Sequence, residues 1–550
     1  MKDPKLVRKY RILDQDIAAY DDNFRGFATQ SNRLFIPSQA NRNIKPAKLD
    51  ALKARQAALE APDEVFGIVK THHRDFIEGL QFNLDNRFNS PAHSIKDWGL
   101  IGLIRRDTRP DTHRKKLVED RISQYDEIYT AIFKWIHQLP PEEISSLLAA
   151  THEMRAIIQN EKQELDHFMK DLTPDQLKDL RGKMQACTHN LDHWIIKLEE
   201  LTAKSGTKEK AHDRGLSDTI PTNIESYRNA LKEHGVDLDK ILSWHEAEVA
   251  KSRSECLNIA NSLDIPEAPV TTMAQVNDIL LKYAGPASSP EEMFERAKEY
   301  VTRATAAARE YVWLPPDADC MPTPMAAHLK ATYPWGAGGS TDLSKRPFVG
   351  RFMLNDDNYK AVTDGWIKIN CSHEVHPGHY TQFLRCHLDP LPETFKRGAK
   401  YTCLTEGMCI RTEKLFEYIF AEDKFYPLFT AYRRHHTTVR IMVDLWLYYY
   451  GKTIGDALAL YTTELGFDPE TARKQVRAHE TGKGYFTTYY YGYKKVAEWE
   501  KLYSYDKYQY TEILFSASRV SLDTFRRILE LNPADRYSLL HEFASLNQFR

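Results

Sequence analysis

Three histidines and a glutamate fall within the stretch Cys371-Ser372-His373-Glu374-Val375-His376-Pro377-Gly378-His379. Imidazole is a common zinc ligand, and a carboxylate beside it can take a proton from a water held by the metal. On a regular helix, two histidines four apart lie about 40° apart and share a face. Here the fourth residue after His373 is Pro377, so that arrangement is broken. Two ligand pairs remain open. His373 and His376, three apart, are separated by about 60° around a helix and could chelate together. His373 and His379, six apart, are separated by about 120° on an ideal helix. Pro377 breaks that helix because it lacks the N–H that would bond the carbonyl of residue 373, and Gly378 permits a sharp reversal. A chain turning at Pro377-Gly378 can return His379 to the same ion.

Downstream stand Glu406 and Glu413, seven residues apart. On a helix they share a face and lie about 10.5 Å apart along the axis. Both can point into one cleft, but one ion cannot readily bind both. One is expected as a ligand and the other as a group that supports a ligand or binds substrate. Further on, His436, Arg440, Asp444 and Tyr448 recur at a spacing of four within 432–450. Arg440 and Asp444 are spaced for an i, i+4 pair. Such a polar stripe on an apolar helix either lines a cleft or forms a buried network. Residues 484–493, GYFTTYYYGY, are dense in tyrosine. A phenol can stabilise an oxyanion by hydrogen bonding, and tyrosines at this density also pack as core and rim groups.

The elements that must position these groups are mostly helices. Apolar residues recur at i, i+3, i+4 and i+7 over 117–138, 141–170, 176–203 and 224–261. A polar stretch beginning at residue 204 reads as an exposed loop or hinge, and the basic segment 105–116 as a solvated loop. After residue 312 the chain is rich in Pro, Gly and aromatics, which no long helix survives. Gly350–Asn355 alternates as a strand with Phe352 and Leu354 on one face. The expected organisation is a helical N-terminal region over 1–311, an irregular connector over 312–348 and a metal-binding catalytic region over 349–550.

Composition bounds the function. The 550 residues carry 75 Lys+Arg and 77 Asp+Glu, a net charge of −2. That balance argues against a general nucleic-acid or membrane-surface binder. No apolar run approaches the roughly 18–20 residues of a membrane span, and charges interrupt the N-terminus where a signal peptide would be apolar. The seven cysteines show no CxxC pair and no disulfide-scaffold spacing. A reducing, cytoplasmic setting with free thiols is expected, and Cys371 reads as a small buried thiol rather than a nucleophile.

The HEVHPGH motif, the TEGMCIRTE segment and the strand GRFMLN resemble the domain-of-unknown-function 885 family. Its members carry H-E-x-x-P-G-H, a preceding G-x-F-x-x-N and a following E-G-W-A-x-x-x-E. That family looks like a remote branch of the gluzincin-type zinc peptidases. The Glu-Gly segment is similar to the zinc-binding "NEGFA" helix of aminopeptidase N-type enzymes. The resemblance implies a mainly α fold, a large helical metallopeptidase-like body with a small strand element bordering the active-site cleft. It implies one Zn²⁺, or another divalent transition metal, held by His373, His379 and Glu406, with Glu374 as general base. His376 stands at a variable motif position and is expected beside the ligands rather than among them, as is Glu413. Gly350–Asn355 would be an edge strand pairing with an extended substrate, with Arg351 and Asn355 on the substrate side. Met408 replaces the family's Trp. Arg440 and Asp444 match R-x-x-x-D-x-x-x-H, with Tyr448 in place of His. Tyr489, three residues before Gly492, matches a family Tyr and would assist catalysis, although the preceding P-G-Q-A is not kept.

The expected function is therefore a zinc-dependent hydrolase of a peptide or small amide bond, with no nucleic-acid or membrane partner. Two rivals stand beside it. One is a metal-dependent lyase, or another transformation of an amino-acid derivative. The other is a catalytically inactive helical binding protein.

Overall fold

The computed structural model describes residues 2–25, 34–95, 98–105, 107, 109–204, 215–220, 224–325, 327–330, 333, 335–338 and 346–544. The molecule is 73% helical, with one small three-stranded sheet, so the fold is mainly α as expected. Two of the expected helices form nearly as read, as Pro141–Phe168 and Pro174–Lys204. They pack side by side through Leu147, Met154, Ile158 and Leu165 on one, and Leu180, Met184, Leu191 and Leu198 on the other. No described helix is long and apolar enough to cross a membrane.

Two expected helices are broken. The 117–138 periodicity resolves into Asp111–Ile122, Tyr125–Phe133 and a 3₁₀ turn at Ile136–Gln138. At the first break Ser123 donates its hydroxyl to the Asp120 carbonyl, and the Gln124 side chain accepts from Leu34 N–H. Polar side chains that bond elsewhere compete with helix continuation. The 224–261 periodicity splits into Ile224–Glu233 and Leu238–Ser262 around Gly235 at φ +81°, and Asp237 caps the second helix. The described residues of the basic segment 105–116 do not form a solvated loop, and Asp111 opens a helix. Arg105 pairs with Glu161 at 2.7 and 2.8 Å, and buried Arg114 donates to the Ile104 carbonyl at 2.9 Å. Arg114 also donates to the Phe168 carbonyl at 2.8 Å, so each guanidinium has a distant partner that charge patterning cannot reveal. Of the polar stretch beginning at residue 204, residues 205–214 lie outside the described residues.

The largest core draws on both sides of residue 311. Tyr10, Phe66 and Phe543 form an aromatic triad with centroids 5.1–5.8 Å apart. Asp14 accepts from His73 at 2.9 Å and from the backbone of Glu393 at 2.7 Å, tying the first helix to the C-terminal half.

Residues 312–348, read as irregular, supply two strands. Strand β1 (Ala318–Pro324) and strand β2 (Gly336–Gly338) flank β3 (Phe348–Leu354) in the order β1-β3-β2. β1 runs parallel to β3 from Ala318 opposite Phe348 to Pro324 opposite Leu354. β2 runs antiparallel, with Gly338 opposite Phe352. Phe348, Phe352 and Leu354 are buried on one face, as the alternation predicts. The expectation of an edge strand at 350–355 is overturned, because β3 is central and its backbone is paired on both sides. Pro322 and Pro324 suit β1 as an edge, since proline cannot donate to a ladder.

The closest helix crossing in the C-terminal half is between helix Thr402–Leu415 and helix Thr487–Leu502. A Cβ at Gly492 would lie 1.8 Å from the Cys403 carbonyl oxygen, and one at Gly407 would lie 2.2 Å from the Gly492 carbonyl carbon. The two backbones touch, and only glycine fits. Gly492→Ala is expected to lower stability by about 1–3 kcal/mol or more through overpacking. Gly182→Ala, on an exposed helix face with nothing within 4 Å of the added carbon, is expected to be neutral or to stabilise by up to about 1 kcal/mol. Thermal unfolding of both variants checks this, and equal midpoints would contradict the close crossing.

Candidate metal centre

His373 and Glu374 lie in a π-helical segment, Cys371–Val375, that extends helix Asp364–Asn370. The wider π turn is a frequent device at functional sites. Pro377 and Gly378 follow, and a Cβ at Gly378 would sit 1.9 Å from the His373 carbonyl oxygen. The chain therefore folds back over its own turn, and His379 opens a new helix, His379–Leu388. The two imidazoles meet with centroids 5.0 Å apart. The ligand-type atoms of His373, Glu374 and His379 lie within 4.8 Å of one another.

Glu406, on helix Thr402–Leu415, completes the cluster. Its Oε2 is 3.5 Å from His373 Nε2 and 3.5 Å from His379 Nε2. That oxygen is buried and accepts no hydrogen bond. Burial pushes the Glu406 carboxyl up, but His379 and His373 overcome it and hold the group well below the usual carboxylate range. The other ring nitrogen of each histidine is engaged. His373 Nδ1 lies 2.8 Å from Glu413 Oε1, and His379 Nδ1 lies 2.8 Å from Gln382 Oε1. Carboxylate and amide oxygens can only accept, so each Nδ1 carries a proton, and a divalent ion would displace any proton on Nε2 and take that lone pair. Two such lone pairs and an orphaned carboxylate oxygen, all converging, fit a divalent cation of the zinc class.

The remaining expected residues divide between the site and the scaffold. Glu413 is buried and supports His373, with Arg433 Nε 3.5 Å from the same oxygen. His376 turns away, with Nδ1 bonded to Thr381 Oγ1 at 2.9 Å and its ring against Tyr380. Burial lowers its pKa to about 3, so it is neutral. Tyr489 stacks on His373 with centroids 6.0 Å apart, and Arg440 lies over the Tyr489 ring at 5.5 Å. The expected Arg440–Asp444 pair does not form. Arg440 donates to Gln475 at 3.0 Å, while Asp444 accepts from His479 Nδ1 at 2.6 Å and Thr487 at 2.9 Å. Tyr448 donates to the His479 carbonyl at 2.7 Å, so the lower half of the stripe belongs to a buried network. Arg351 and Asn355 do not meet the cluster. Arg351 reaches His167 and lies over Phe168 at 4.5 Å. Asn355 donates to the carbonyls of Lys330 and Tyr333 and caps the turn that follows. Met408 is fully buried in the main core. Cys371 is also fully buried, and burial raises its thiol well above the ordinary value; all seven cysteines are free and buried.

Sequence reasoning missed Tyr485, Gln382, Arg433 and Gly338. Tyr485 donates to Glu406 Oε1 at 2.6 Å and lies 3.2 Å from the Tyr489 hydroxyl. Gln382 stands one helical turn after His379, and Arg433 two turns before Arg440, so helical spacing was the available signal. Gly338 ends the edge strand β2, and a Cβ there would lie 2.5 Å from Glu374 Oε2. Nothing local marked it.

Two solved structures share this fold. One is described as "the putative lipoprotein from Colwellia psychrerythraea", at 16% identity and a TM-score of 0.74, covering 96% of this chain and 98% of that chain. The other, from Shewanella oneidensis, is described as a lipoprotein of unknown function, also "putative", at 14% identity and a TM-score of 0.69, covering 96% and 100%. No curated protein matches. The family described as "Bacterial protein of unknown function (DUF885)" matches residues 23–504, and the chain belongs to that family.

Proposed function

We propose that the protein is a metal-dependent hydrolase of a peptide or small amide bond. The observation that carries this reading is the buried Glu406 Oε2, without a hydrogen-bond partner and 3.5 Å from both histidine Nε2 atoms, with Glu374 alongside. His373, His379 and Glu406 would hold one divalent ion, Zn²⁺ by donor chemistry, which when bound supplies Lewis acidity toward a carbonyl and a water.

The chain's own groups supply the rest. Glu374 is partly exposed and close to the ligand atoms without a fixed partner among the described hydrogen bonds, as a general base must be. It would take the proton from the attacking water and return one to the leaving nitrogen. Burial, and then Glu406, raise the Tyr485 phenol well above its ordinary value, and burial raises that of Tyr489. Tyr489 stays protonated at neutral pH and can donate to a developing oxyanion, while the single Tyr485 proton is held by Glu406 Oε1. β2 is a sheet edge that ends against Glu374, so an extended amide substrate laid along it would bring its carbonyl to the base.

Glu374→Gln is expected to keep its metal and lose about 10²–10⁴-fold or more in turnover on any substrate found by a mass-spectrometric screen of peptides and small amides. A Gln variant with the wild-type rate would remove Glu374 from the mechanism. Absence of solvent oxygen in the products would favour elimination over hydrolysis.

Metal titration of four purified variants tests the ligand set. His379→Ala and Glu406→Ala should lose metal. Glu413→Ala should weaken binding by about 10–100-fold, the usual effect of removing a group that orients a ligand. His376→Ala should bind as wild type. Metal lost from His376→Ala but retained by His379→Ala would reverse the assignment.

A further inference from the structure

Next to the cluster, helix Tyr426–Tyr448 carries two buried arginines two turns apart, Arg433 and Arg440, each 6% exposed. They flank one ring, at 5.7 and 5.5 Å from the Tyr489 centroid, and Tyr489 in turn stacks on His373. Arg433 has Glu413 at 3.5 Å, an anion it shares with His373. Arg440 has no carboxylate within 4.0 Å among the described residues, and its hydrogen-bond partner is the neutral Gln475. The other ionisable side chains facing it are the Arg433 guanidinium and the phenols of Tyr461, Tyr489 and Tyr485, none of them a carboxylate. The Nε atoms of both arginines are buried without a hydrogen-bond acceptor. His436, on the same face, is kept neutral by burial and by both guanidiniums. A buried cation without a counter-ion, beside a second cation, is costly unless an anion arrives to meet it.

We infer that Arg433 and Arg440 form a carboxylate-binding subsite beside the metal centre. On the hydrolase reading above, the substrate then carries a free carboxylate near its scissile amide. Planar guanidinium donors match carboxylate geometry, and the bonds are charge-assisted in a site shielded from water. The ring of Tyr489 separates this subsite from His373, so anion recognition and bond cleavage fall on adjacent parts of one small substrate. The tyrosine-rich segment then has two tasks, since Tyr485 faces the Glu406 carboxylate and Tyr489 faces the guanidinium pair.

Equilibrium binding of three probes tests this. They are N-acetyl-alanyl-alanine, its C-terminal amide, and that amide with aspartic acid in the second position. Binding is measured by calorimetry on the Glu374→Gln protein as purified and again after chelation, so affinity of a carboxylate for metal is separated out. At least one carboxylate probe should bind about 10-fold or more tighter than the neutral amide in both preparations. The preferred probe distinguishes a chain-terminal from a side-chain carboxylate. Arg440→Gln and Arg433→Gln should each lose most of the ratio of acid to amide affinity. Arg440→Lys should keep part of it, and circular dichroism confirms folding. Equal binding of acid and amide, no binding of any probe at millimolar concentration, or a preference that survives in both Gln variants would overturn the subsite. Because the readout is binding without turnover, the subsite and the hydrolase reading fail separately.

Discussion

The candidate site depends on one backbone contact, the crossing of helix Thr402–Leu415 on helix Thr487–Leu502 at Gly407 and Gly492. Any side chain at either position would drive the helices apart. Glu406 is the residue before Gly407, so the contact sets where its carboxylate stands. Tyr485 precedes the opposing helix, and Tyr489 stands on it one turn before Gly492. The same approach therefore brings the Tyr485 hydroxyl to 2.6 Å from Glu406 Oε1. A buried carboxylate is expensive without hydrogen bonds or cations. Here one oxygen receives a phenol, and the other is left facing two imidazoles.

Around that contact, each histidine is oriented by a partner that is itself anchored. Gln382 receives the His379 Nδ1 proton and donates through its own nitrogen to the Thr405 carbonyl at 3.0 Å, returning to the helix that bears Glu406. Glu413 receives the His373 proton from the far end of the same helix. One helix thus sets the carboxylate and the orientation of both rings, directly or through one residue. Glu413 also faces Arg433, which links the cluster to the arginine face of helix Tyr426–Tyr448. The low dielectric of the interior strengthens each of these bonds and raises the cost of leaving any one incomplete.

The polar stripe on helix Tyr426–Tyr448 serves two purposes along its length. Toward the N-terminal end, Arg433, His436 and Arg440 face the aromatic wall of the site, with His436 against Trp335 at 6.1 Å and Trp366 at 6.2 Å. Toward the C-terminal end, Asp444, His479 and Tyr461 form a closed, buried chain of hydrogen bonds at 2.6 and 2.7 Å. That network holds helix Pro469–Thr481, and with it the approach to the tyrosine segment, in place. On the carboxylate-binding inference, positioning and recognition are divided along one helix.

Much of this was written locally. Pro377 and Gly378 state that the helix after His373 must break and can fold back, because one lacks an N–H and the other lacks a Cβ. The seven-residue spacing of Glu406 and Glu413 separates a carboxylate facing both imidazoles from one supporting His373, because two helical turns exceed what one ion spans. The alternation of Phe352 and Leu354 fixes which face of β3 is buried. What periodicity cannot encode is the partner brought by a distant segment. β3 became a central strand because the proline-rich run before it supplied β1 and β2. Arg351 met His167, and Asp444 bonded His479 rather than Arg440 one turn before it, because tertiary packing brought those distant groups within reach. Tyr485 met Glu406 only through the glycine crossing. A face is a property of local chain geometry, whereas a neighbour is decided by how whole helices pack, so the sequence determined the register of the candidate ligands and only the tertiary structure decided what surrounds them.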